Sequence, residues 1–543
     1  MGKCSIFCLF FILLAGSNTL LAQDRYAIHY KYKPTVKYSL DRPEELMTPA
    51  ALERREREML AVDSTDLPVS EQYVSLIKEE VNEIIYHSKW LNASLVSASP
   101  MAIDQIRALA FVEKVELVAR GGIANGFDGT KGIREPRESP ISILYSDERA
   151  FEFQNNILGI PEMHRDGYHG EGIRIAVFDA GFLNADQISG LQHLFNENRI
   201  LGTRNFVQGG SGSVYHTDTH GTGSLSLMAA YDPSQLVGAA YAAEYILCIT
   251  EDVFSEFRIE EYNWLRAAEY ADSLGVDVIN SSLGYNFFDD PEMNYSKDDL
   301  DGTTAIISIA ANMAAQKGIL VVSSSGNEGN LSWKTITVPA DAKDVVAVGA
   351  ITNSLNKAGF SSTGPSSDGR IKPDLVAFGS GVTLWRQKEG TSVSSGTSFS
   401  SPQVAALAAG IWQAYPGWTR AMLMSKLLES GSQSDQPDAE LGYGIPNYLR
   451  VKKTSNTGTL VERDIKIYPN PLEANELMLE FGTENNCSLK LYNTQGKMLN
   501  LLSLHRQGRN EPYRIDMGML HPGIYWLEIE DSVRAGSIKL LKK

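Results

Sequence analysis

Cysteine is scarce in this sequence: it contains four cysteines in 543 residues, too few for a scaffold held together by disulfides. Cys4 and Cys8 fall in a terminal segment that we expect to be removed. Cys248 and Cys487 lie far apart in the chain, and we expect both to be unpaired thiols. Positive charge is also in deficit, because 49 Lys and Arg stand against 66 Asp and Glu, a net charge of −17. That balance argues against nucleic acid as a partner.

Long apolar runs are absent beyond the first 22 residues, which themselves have the features of a secretory signal. An apolar run extends from Cys4 to Ala15, and small residues precede an expected cut between Ala22 and Gln23. This run is too short for a transmembrane helix. Ser17 stands where a lipoprotein signal would carry its lipidated cysteine, so we expect no lipid anchor. The segment therefore predicts export of the mature chain.

The next part, residues 23–140, predicts a small α/β domain followed by a connector. The stretch "NASLVSASPMAIDQIRALAFVEKVELV" has the pattern of a strand, a short helix with Ile103, Ile106 and Leu109 on one side, and a second strand. Glycine, proline and charged residues fill the following "ARGGIANGFDGTKGIREPRESP". Such a composition is typical of an exposed connector that proteases can reach.

Residues 145–452 have the pattern of a doubly wound α/β domain built on a mostly parallel sheet. Apolar runs without alternation, such as "IRIAVFDA", "YILCIT", "VDVIN" and "VVAVGA", are typical of buried parallel strands. Helix-like segments, among them "EEYNWLRAAEYADSLG", separate these runs. Strands that alternate with helices predict a functional site at the carboxyl ends of the strands.

The remaining chain predicts a linker and a separate β domain. Residues 453–460 are polar, and residues 461–543 contain short alternating strands punctuated by glycine and asparagine. This pattern predicts a small all-β sandwich that is appended to the α/β domain.

Four polar motifs stand at strand ends or helix starts of the α/β domain. They contain Asp179 after "IAVF", His220 in "HGTGSLSLMAA", Asn327 after "ILVVSSSG" and Ser398 in "GTSFSSPQVAALAAGIWQA". A serine at a helix start faces backbone N–H groups and the positive end of the helix dipole. Histidine can take the serine proton, aspartate can fix the imidazole, and an asparagine N–H can donate to an oxyanion. Pro402 is expected in the first helical turn, where proline is tolerated.

The blocks "VFDAGF", "HGTG", "SSGNEG" and "GTSFSSP" closely resemble the four signature blocks of the subtilisin-like serine proteases (subtilases), in that family's order. The resemblance covers residues 145–452. It implies Asp179 as the orienting acid, His220 as the general base and Ser398 as the nucleophile. Asn327 and the Ser398 N–H are implied as the oxyanion donors. No cofactor is implied for catalysis and no metal ligand is predicted; structural calcium is frequent in the family, but no loop here can be assigned to it.

The resemblance also implies residues that bind the substrate. The family places a strand for the substrate backbone at the Ser-Leu-Gly that follows "DVIN", which here is Ser282, Leu283 and Gly284. Glu328 is implied near the mouth of the primary specificity pocket, with a solvated rim charge as the equal alternative.

Some positions depart from the usual residues of the family. Ala180 replaces a hydroxyl residue after the aspartate, and Phe399 and Ser400 stand where methionine and alanine are common. The segment "HGTGSLSLMAA" also lacks the frequent His-Val-Ala-Gly continuation. We expect these departures to affect packing and specificity, because none of them replaces a reacting group.

Two other functions stay open from the residues alone. One is a metal-dependent hydrolase that uses His216, Asp218 and His220 of "HTDTH", although this turn-like segment lacks the helical i,i+4 spacing of a zinc site. The other is an adhesin or binding protein on an inactive protease scaffold. The complete set of four catalytic-type residues argues against that second function.

The two flanking parts carry resemblances of their own. The stretch that ends in "KVELV" resembles the end of subtilase propeptides and implies an inhibitory prodomain, released by self-cleavage between about Ala119 and Tyr145. An ordinary accessory domain is the alternative. "IYPNP", "LHPGIYWLEI" and "GSIKLLKK" resemble the C-terminal sorting domain of the type IX secretion system of Gram-negative bacteria. The alternative is a β-module that binds carbohydrate or protein.

These inferences predict a secreted serine endopeptidase that is made as a self-processed precursor. Its expected partners are protein or peptide substrates, its own propeptide and the type IX secretion machinery. We expect a monomer that passes through the periplasm and is then released or held at the outer surface.

Overall fold

The structure of this chain is a computed structural model that describes residues 23–34, 37–121, 151–207, 209–455, 465–481, 486–493, 498–505, 512–531 and 535–543. The expected signal segment, most of the connector and most of the linker lie outside these residues. Within the described ranges, no helix is both long and apolar enough to cross a membrane.

A four-stranded antiparallel sheet with three helices forms the N-terminal unit. Its elements are β1 (Arg25–Tyr30), α1 (Pro49–Arg57), α2 (Glu71–Lys78), β2 (Glu83–Ser88), β3 (Ala93–Ser97), α3 (Pro100–Arg107) and β4 (Val112–Ala119). The strands are ordered β2-β3-β1-β4. Ser99 caps α3 by accepting the Ala102 N–H. Ile103 and Ile106 of that helix are buried against the sheet, as predicted, whereas Leu109 lies beyond the helix end and is half-buried.

The central domain alternates strands and helices along most of its length. Its elements are α4 (Glu152–Asn156), α5 (Ile160–Arg165), β5 (Arg174–Asp179), α6 (Gln192–Asn196), β6 (Ile200–Asn205), α7 (His220–Ala229), β7 (Tyr231–Asp232), β8 (Leu236–Val237), β9 (Glu244–Ile249), α8 (Ile259–Ser273), β10 (Val278–Ser281), α9 (Ile306–Gln316), β11 (Leu320–Ser324), β12 (Val346–Ile351), β13 (Leu375–Phe378), β14 (Ser380–Leu384), β15 (Ser392–Ser395), α10 (Thr397–Ala414), α11 (Arg420–Glu429) and α12 (Tyr448–Ser455). Helix α12 thus continues into the segment expected to be a linker.

Seven parallel strands form the central sheet in the order β13-β12-β11-β10-β5-β9-β6. The predicted doubly wound, mostly parallel fold is confirmed. Two of its strands were not predicted: β6 is a partly exposed edge strand with the mixed sequence "ILGTRN", and β13 has only four residues. Neither has the long apolar run that identifies a buried strand.

The alternation of β5 shows how the sheet is covered on both faces. Ile175 and Val177 belong to one apolar cluster together with α7 and α10, while Ala176 and Phe178 belong to a second cluster together with α8 and α9. All four side chains are fully buried. Because both faces are covered, every position of such a strand is apolar until the strand ends.

The direction of winding changes beside β5, since β9 and β6 lie on one side of it and β10 to β13 on the other. Ligand sites of doubly wound sheets lie at the carboxyl ends of the strands at such a switch point. Asp179 is the last residue of β5, and Ser282 directly follows β10. The fold therefore brings two of the predicted site residues to this edge.

Two antiparallel sheets form the C-terminal part. Its strands are β16 (Ile465–Tyr468), β17 (Glu476–Phe481), β18 (Asn486–Asn493), β19 (Met498–His505), β20 (Tyr513–Asp516), β21 (Gly523–Asp531) and β22 (Ala535–Lys542). One sheet is β16-β17-β20 and the other is β19-β18-β21-β22. Leu477 and Leu479 of the first sheet share a core with Leu489, Leu491 and Leu527 of the second. This is the predicted all-β sandwich.

Cys248 in β9 is a free, fully buried thiol. Burial raises the pKa of this thiol, which makes it unreactive. The side chain of Cys487 lies outside the described ones, so the prediction for that residue stays a prediction.

Candidate active site

Asp179 is a fully buried carboxylate at the end of β5. Its Oδ1 accepts the Ala180 N–H at 2.8 Å and lies 2.7 Å from His220 Nδ1, and its Oδ2 accepts the Ser224 hydroxyl at 3.0 Å. A buried carboxylate is costly unless hydrogen bonds satisfy it. Here both oxygens are occupied, and one of them holds an imidazole.

His220 is the first residue of α7 and is 2% exposed. The Asp218 side chain accepts the His220 backbone N–H at 2.7 Å, which fixes the start of the helix. Gly221 allows the helix to approach the β5 turn, because a Cβ at this position would lie 2.8 Å from the Asp179 Cβ. Asp179 holds Nδ1, and Nε2 is buried without a hydrogen-bond partner among the described residues.

Ser398 is the second residue of α10 and is 4% exposed. Its hydroxyl donates to the Ser282 carbonyl oxygen at 3.2 Å rather than to His220 Nε2. The next residue, Phe399, packs on the imidazole with 5.2 Å between ring centroids. Hydrogen bonds between catalytic groups are often long or misaligned without substrate and tighten when it binds. The residue that follows Ser398 thus contacts the imidazole, while the Ser398 hydroxyl is bonded to Ser282 and not to the base.

Pro402 lies in the second turn of α10 and not in the first, so that prediction was wrong. A proline inside a helix has no N–H to donate to the carbonyl four residues earlier, which here is that of Ser398. The Ser282 hydroxyl donates to this Ser398 carbonyl oxygen at 2.9 Å. Ser282 therefore satisfies the acceptor that the proline leaves open at the residue expected to be the nucleophile.

Asn327 follows β11 and reaches the same helix start. Its Oδ1 accepts both the Thr397 N–H at 2.9 Å and the Thr397 hydroxyl at 3.0 Å. Because Oδ1 accepts these two hydrogen bonds, Nδ2 is the atom of the Asn327 amide that can donate a hydrogen bond to a ligand. Asn327 and Ser398 line one pocket, as an oxyanion donor and a nucleophile must.

The pocket beside Ser398 has a volume of about 390 Å³. Ser282, Leu283, Gly284 and Glu328, which the resemblance implies as substrate-binding residues, all line it. Their role in binding stays a prediction. The Ser282 side chain faces the helix start rather than open space, since it bonds Ser398 and also lies 3.3 Å from the Ser224 hydroxyl.

Ser224 is the site residue that the sequence analysis missed. It lies one turn after His220 on α7 and donates to Asp179 while contacting Ser282. The available signal was the i,i+4 spacing in "HGTGS", which places both side chains on one face of a helix. A serine in a helix is too common for that spacing to be decisive on its own.

The "HTDTH" segment does not form a metal site. His216 is exposed, Asp218 binds the His220 backbone, and His220 Nδ1 binds Asp179. Throughout the described part of the chain, no group of three or more His, Cys, Asp or Glu is arranged to hold a metal ion. The metal-site interpretation of these three residues was wrong.

Three family models match this chain. The model for the subtilase family matches residues 170–444, that for the peptidase S8 propeptide domain of Bacteroidota matches residues 25–126, and that for the secretion system C-terminal sorting domain matches residues 466–543. All three resemblances seen in the sequence are confirmed. The sorting domain indicates export by type IX secretion to the cell surface or the medium.

Similar proteins come from bacteria and animals. Subtilisin E of Bacillus subtilis (strain 168) is 27% identical over 308 residues, which are 55% of this chain and 72% of the relative. Subtilisin DY of Bacillus licheniformis is 29% identical over 280 residues, 50% of this chain and 89% of the relative. Membrane-bound transcription factor site-1 protease of Rattus norvegicus is 32% identical over 247 residues, 44% of this chain and 20% of the relative. With its subtilase match over half its length, the chain belongs to the subtilase family and is a serine endopeptidase.

Proposed function

We propose that this chain hydrolyses peptide bonds through an acyl-enzyme formed on Ser398, with His220 as the base and Asp179 as its orienting acid. The bond of 2.7 Å between Asp179 Oδ1 and His220 Nδ1 carries the proposal. It fixes the tautomer in which Nε2 is an acceptor, and Nε2 has no other partner within the described residues. Ser398, whose neighbour Phe399 packs on the imidazole, supplies the hydroxyl.

The acylation step needs a rotation of the Ser398 hydroxyl from the Ser282 carbonyl oxygen towards His220 Nε2. Nε2 then accepts the hydroxyl proton while Oγ attacks the substrate carbonyl carbon, and Asp179 stabilises the imidazolium. The carbonyl oxygen becomes an oxyanion that Asn327 Nδ2 and the Ser398 N–H stabilise. The imidazolium donates its proton to the leaving amine, and water repeats the sequence to release the acid.

Labelling with a fluorophosphonate probe tests this proposal. We expect the purified mature enzyme to take up one equivalent of probe, and peptide mass spectrometry to place the label on Ser398, because only a serine with an activated hydroxyl reacts rapidly. A processed, folded enzyme that digests casein without labelling, or with the label on another serine, would contradict the assignment.

Asn327→Ala is expected to lower kcat by about 10²–10³-fold with little change in KM, the magnitude known for the oxyanion asparagine of subtilisin itself. The physical reason is that Nδ2 meets the oxyanion only in the transition state. Steady-state kinetics on a peptide substrate, with active sites titrated by the probe, measures the effect.

Asn327→Asp is the matched control for that prediction. Aspartate keeps an acceptor for the Thr397 N–H and hydroxyl but offers no N–H to the oxyanion. If Asn327 acts only by holding Thr397, the Asp variant keeps its kcat. If Asn327 is the oxyanion donor, the Asp variant loses at least as much as the Ala variant.

We further propose that the N-terminal unit is an inhibitory propeptide held on the enzyme by buried ion pairs. Arg54 and Arg55 of α1 both bind Asp272 at the end of α8, and Lys317 binds Asp66 at 2.8 Å. Arg54, Arg55 and Asp272 are at most 4% exposed in their side chains. Removal of one partner from a buried pair costs about 3–5 kcal/mol, because the other charge stays buried and unpaired.

Asp272→Asn is therefore expected to weaken the retention of the cleaved propeptide by about 10²–10³-fold in dissociation constant. The measurement is the lag before activity appears after processing, with gel filtration of the processed complex at several dilutions. Glu292→Gln is the control, because Glu292 is 83% exposed in its pair with Arg120 and exposed pairs contribute little. Equal lags in the two variants would show that the pairs at Asp272 do not hold the propeptide.

We propose that the signal segment takes the precursor into the periplasm and that residues 461–543 then direct it across the outer membrane. The match of the sorting domain to residues 466–543 supports this route. The substrates are peptides, and the chemistry assigned to Asp179, His220 and Ser398 uses no metal or cofactor. A structural calcium ion has no assigned site in this chain.

A further inference from the structure

Ser224 is a fully buried residue of helix α7, one turn after His220. A serine inside a helix commonly donates its hydroxyl proton to a backbone carbonyl three or four residues earlier. Ser226 of the same helix does so, since its hydroxyl donates to the Gly223 carbonyl oxygen at 2.8 Å. The Ser224 hydroxyl donates instead to Asp179 Oδ2 at 3.0 Å, on a residue 45 positions away in the chain. It therefore joins the helix to the end of β5.

Asp179 has two carboxylate oxygens to satisfy, and it is fully buried. Oδ1 accepts the Ala180 N–H at 2.8 Å and lies 2.7 Å from His220 Nδ1. Within the described part of the chain, Ser224 is the only side chain that donates to Oδ2. An ionised carboxylate only accepts hydrogen bonds, and a buried one is costly without donors. One hydroxyl group thus satisfies half of this carboxylate.

Two departures from the usual subtilase residues are complementary at this carboxylate. Ala180 has no hydroxyl, although the family usually carries one directly after the aspartate. Ser224 has a hydroxyl, although it stands where the frequent His-Val-Ala-Gly continuation has valine. Ala180 adjoins Asp179 in the sequence, and Ser224 reaches the Asp179 side chain in the fold. This chain therefore carries a hydroxyl beside its aspartate, but on a different element.

Helix α7 lies close enough to Asp179 for a short side chain to reach it. A Cβ at Gly221 would lie 2.5 Å from the Gly181 carbonyl oxygen and 2.8 Å from the Asp179 Cβ. Glycine at position 221 thus allows the helix to approach the turn after β5. Serine has the shortest side chain that ends in a hydroxyl, and it spans the distance that remains.

Ser224 also contacts Ser282, with 3.3 Å between the two Oγ atoms. Ser282 Oγ accepts an N–H of Asn280 Nδ2 at 3.0 Å and donates to the Ser398 carbonyl oxygen at 2.9 Å. A serine hydroxyl has a single proton to donate, and a charged acceptor binds it more strongly than a neutral one. The proton of Ser224 is therefore directed to Asp179 whenever that carboxylate is ionised.

We propose that Ser224 is a positioning residue of the catalytic site, whose hydroxyl holds the Asp179 carboxylate in the orientation in which Oδ1 bonds His220 Nδ1. The inference rests on the proposed function, since it concerns the reaction that His220 carries out with Ser398. The terminal torsion of an aspartate side chain has broad energy wells. A donor at Oδ2 restricts rotation about that torsion. The carboxylate is then already in place when the imidazolium forms.

The variants Ser224→Thr and Ser224→Val test this role, because their new side chains have the same shape and differ only in a hydroxyl and a methyl group. Threonine keeps a donor for Asp179 Oδ2, and valine does not. We expect kcat on a peptide substrate to be about 10–100-fold lower for the valine variant than for the threonine variant, the factor that a hydrogen bond to a charged group provides. KM should change little, because the aspartate acts on the transition state.

The rates are compared per active site, counted by complete labelling of Ser398 with the fluorophosphonate probe, so that misfolded molecules do not enter kcat. Equal kcat values in the two variants would overturn the proposal, and so would a difference that lies in KM alone. Ser224→Ala adds no volume to the core and provides a second comparison. We expect its kcat to fall below the wild-type value by the same factor, and an unchanged kcat would contradict the role.

Ser226→Ala is the control for the loss of a buried hydroxyl from this helix. Ser226 bonds the Gly223 carbonyl oxygen and the Trp385 N–H, and it does not contact Asp179. We expect this variant to unfold at a lower temperature, because it leaves the buried Trp385 N–H without its acceptor, but to keep the wild-type kcat per labelled site. A loss of kcat equal to that of Ser224→Ala would show that any disturbance of α7 slows the enzyme, and would overturn the proposal.

Labelling of the wild-type enzyme separates this inference from the proposed function. If the probe labels Ser398 and the threonine and valine variants have equal kcat values, the role of Ser224 fails and the nucleophile stands. If the active wild-type enzyme takes up the label on another serine, the nucleophile assignment fails and the role of Ser224 falls with it.

Discussion

Ser398→Ala is expected to yield a full-length precursor without proteolytic activity, in which the propeptide stays covalently attached. Loss of the nucleophile removes the acyl-enzyme route, and activity should fall by about 10⁶-fold, the magnitude known for subtilisin itself. Processing fails as well if the cut in the connector is made by this same site. Immunoblotting with antibodies to each end, together with casein digestion, measures both effects.

Ser400→Ala is the matched control, because Ser400 is a buried serine two residues along the same helix whose hydroxyl donates to the Ala377 carbonyl oxygen. It removes one hydrogen bond, worth about 1 kcal/mol, and should process normally. Normal processing of purified Ser398→Ala would show that another protease cuts the connector. Addition of active enzyme to the Ser398→Ala precursor then distinguishes cutting within one molecule from cutting between molecules.

The positions of the four candidate catalytic residues could be predicted because each one stands after a buried strand or at the start of a helix. Asp179 follows the buried apolar residues 175–178, and Asn327 comes shortly after the buried strand β11. Parallel strands bring their carboxyl ends to one edge, so residues far apart in the chain were expected to meet. The orientation of the Ser398 hydroxyl towards Ser282 could not be predicted, because it depends on a rotamer and not on a pattern.

The role of Ser282 shows a second kind of limit. The resemblance gave it only as part of the strand that binds the substrate backbone. In the structure its hydroxyl donates a hydrogen bond to the Ser398 carbonyl oxygen. Pro402 cannot make this bond from within the helix, because proline has no backbone N–H. Ser282 follows β10 and Pro402 lies on α10, so this role can be recognised only from their positions in the fold. The two bonded serines, Ser282 and Ser398, are 116 positions apart in the chain.

The acidic residues that line the pocket beside Ser398 were hidden in the sequence for a different reason. In a chain with 66 acidic residues, the acids of "TEDVFSEFRIEE" have the appearance of an ordinary solvated loop. The fold places that segment against Asp289 and Glu328, which come from loops after two other strands. Arg54 and Arg55 were hidden in the same way, because only the fold shows that these two residues of the charged helix α1 are buried against Asp272.

Deletion of residues 461–543 is expected to retain the protein in the periplasm while leaving the protease active. The sandwich has a core of its own that includes Leu472 and Leu540, and the apolar clusters of the catalytic domain end at Val451. The deletion therefore removes no side chain from the catalytic core. In a host with the type IX machinery, immunoblots of medium, surface and periplasmic fractions, with probe labelling of each, measure the outcome.

Leu540→Asp tests the same prediction without shortening the chain. Leu540 is fully buried between the two C-terminal sheets, and a carboxylate there has no partner, so the sandwich should lose its fold. We expect this variant to remain in the periplasm like the deletion, whereas Lys543→Ala, at an exposed terminal side chain, should be exported. Unchanged extracellular enzyme after the deletion would contradict a sorting role, and a periplasmic form that no longer labels would show that catalysis depends on the sandwich.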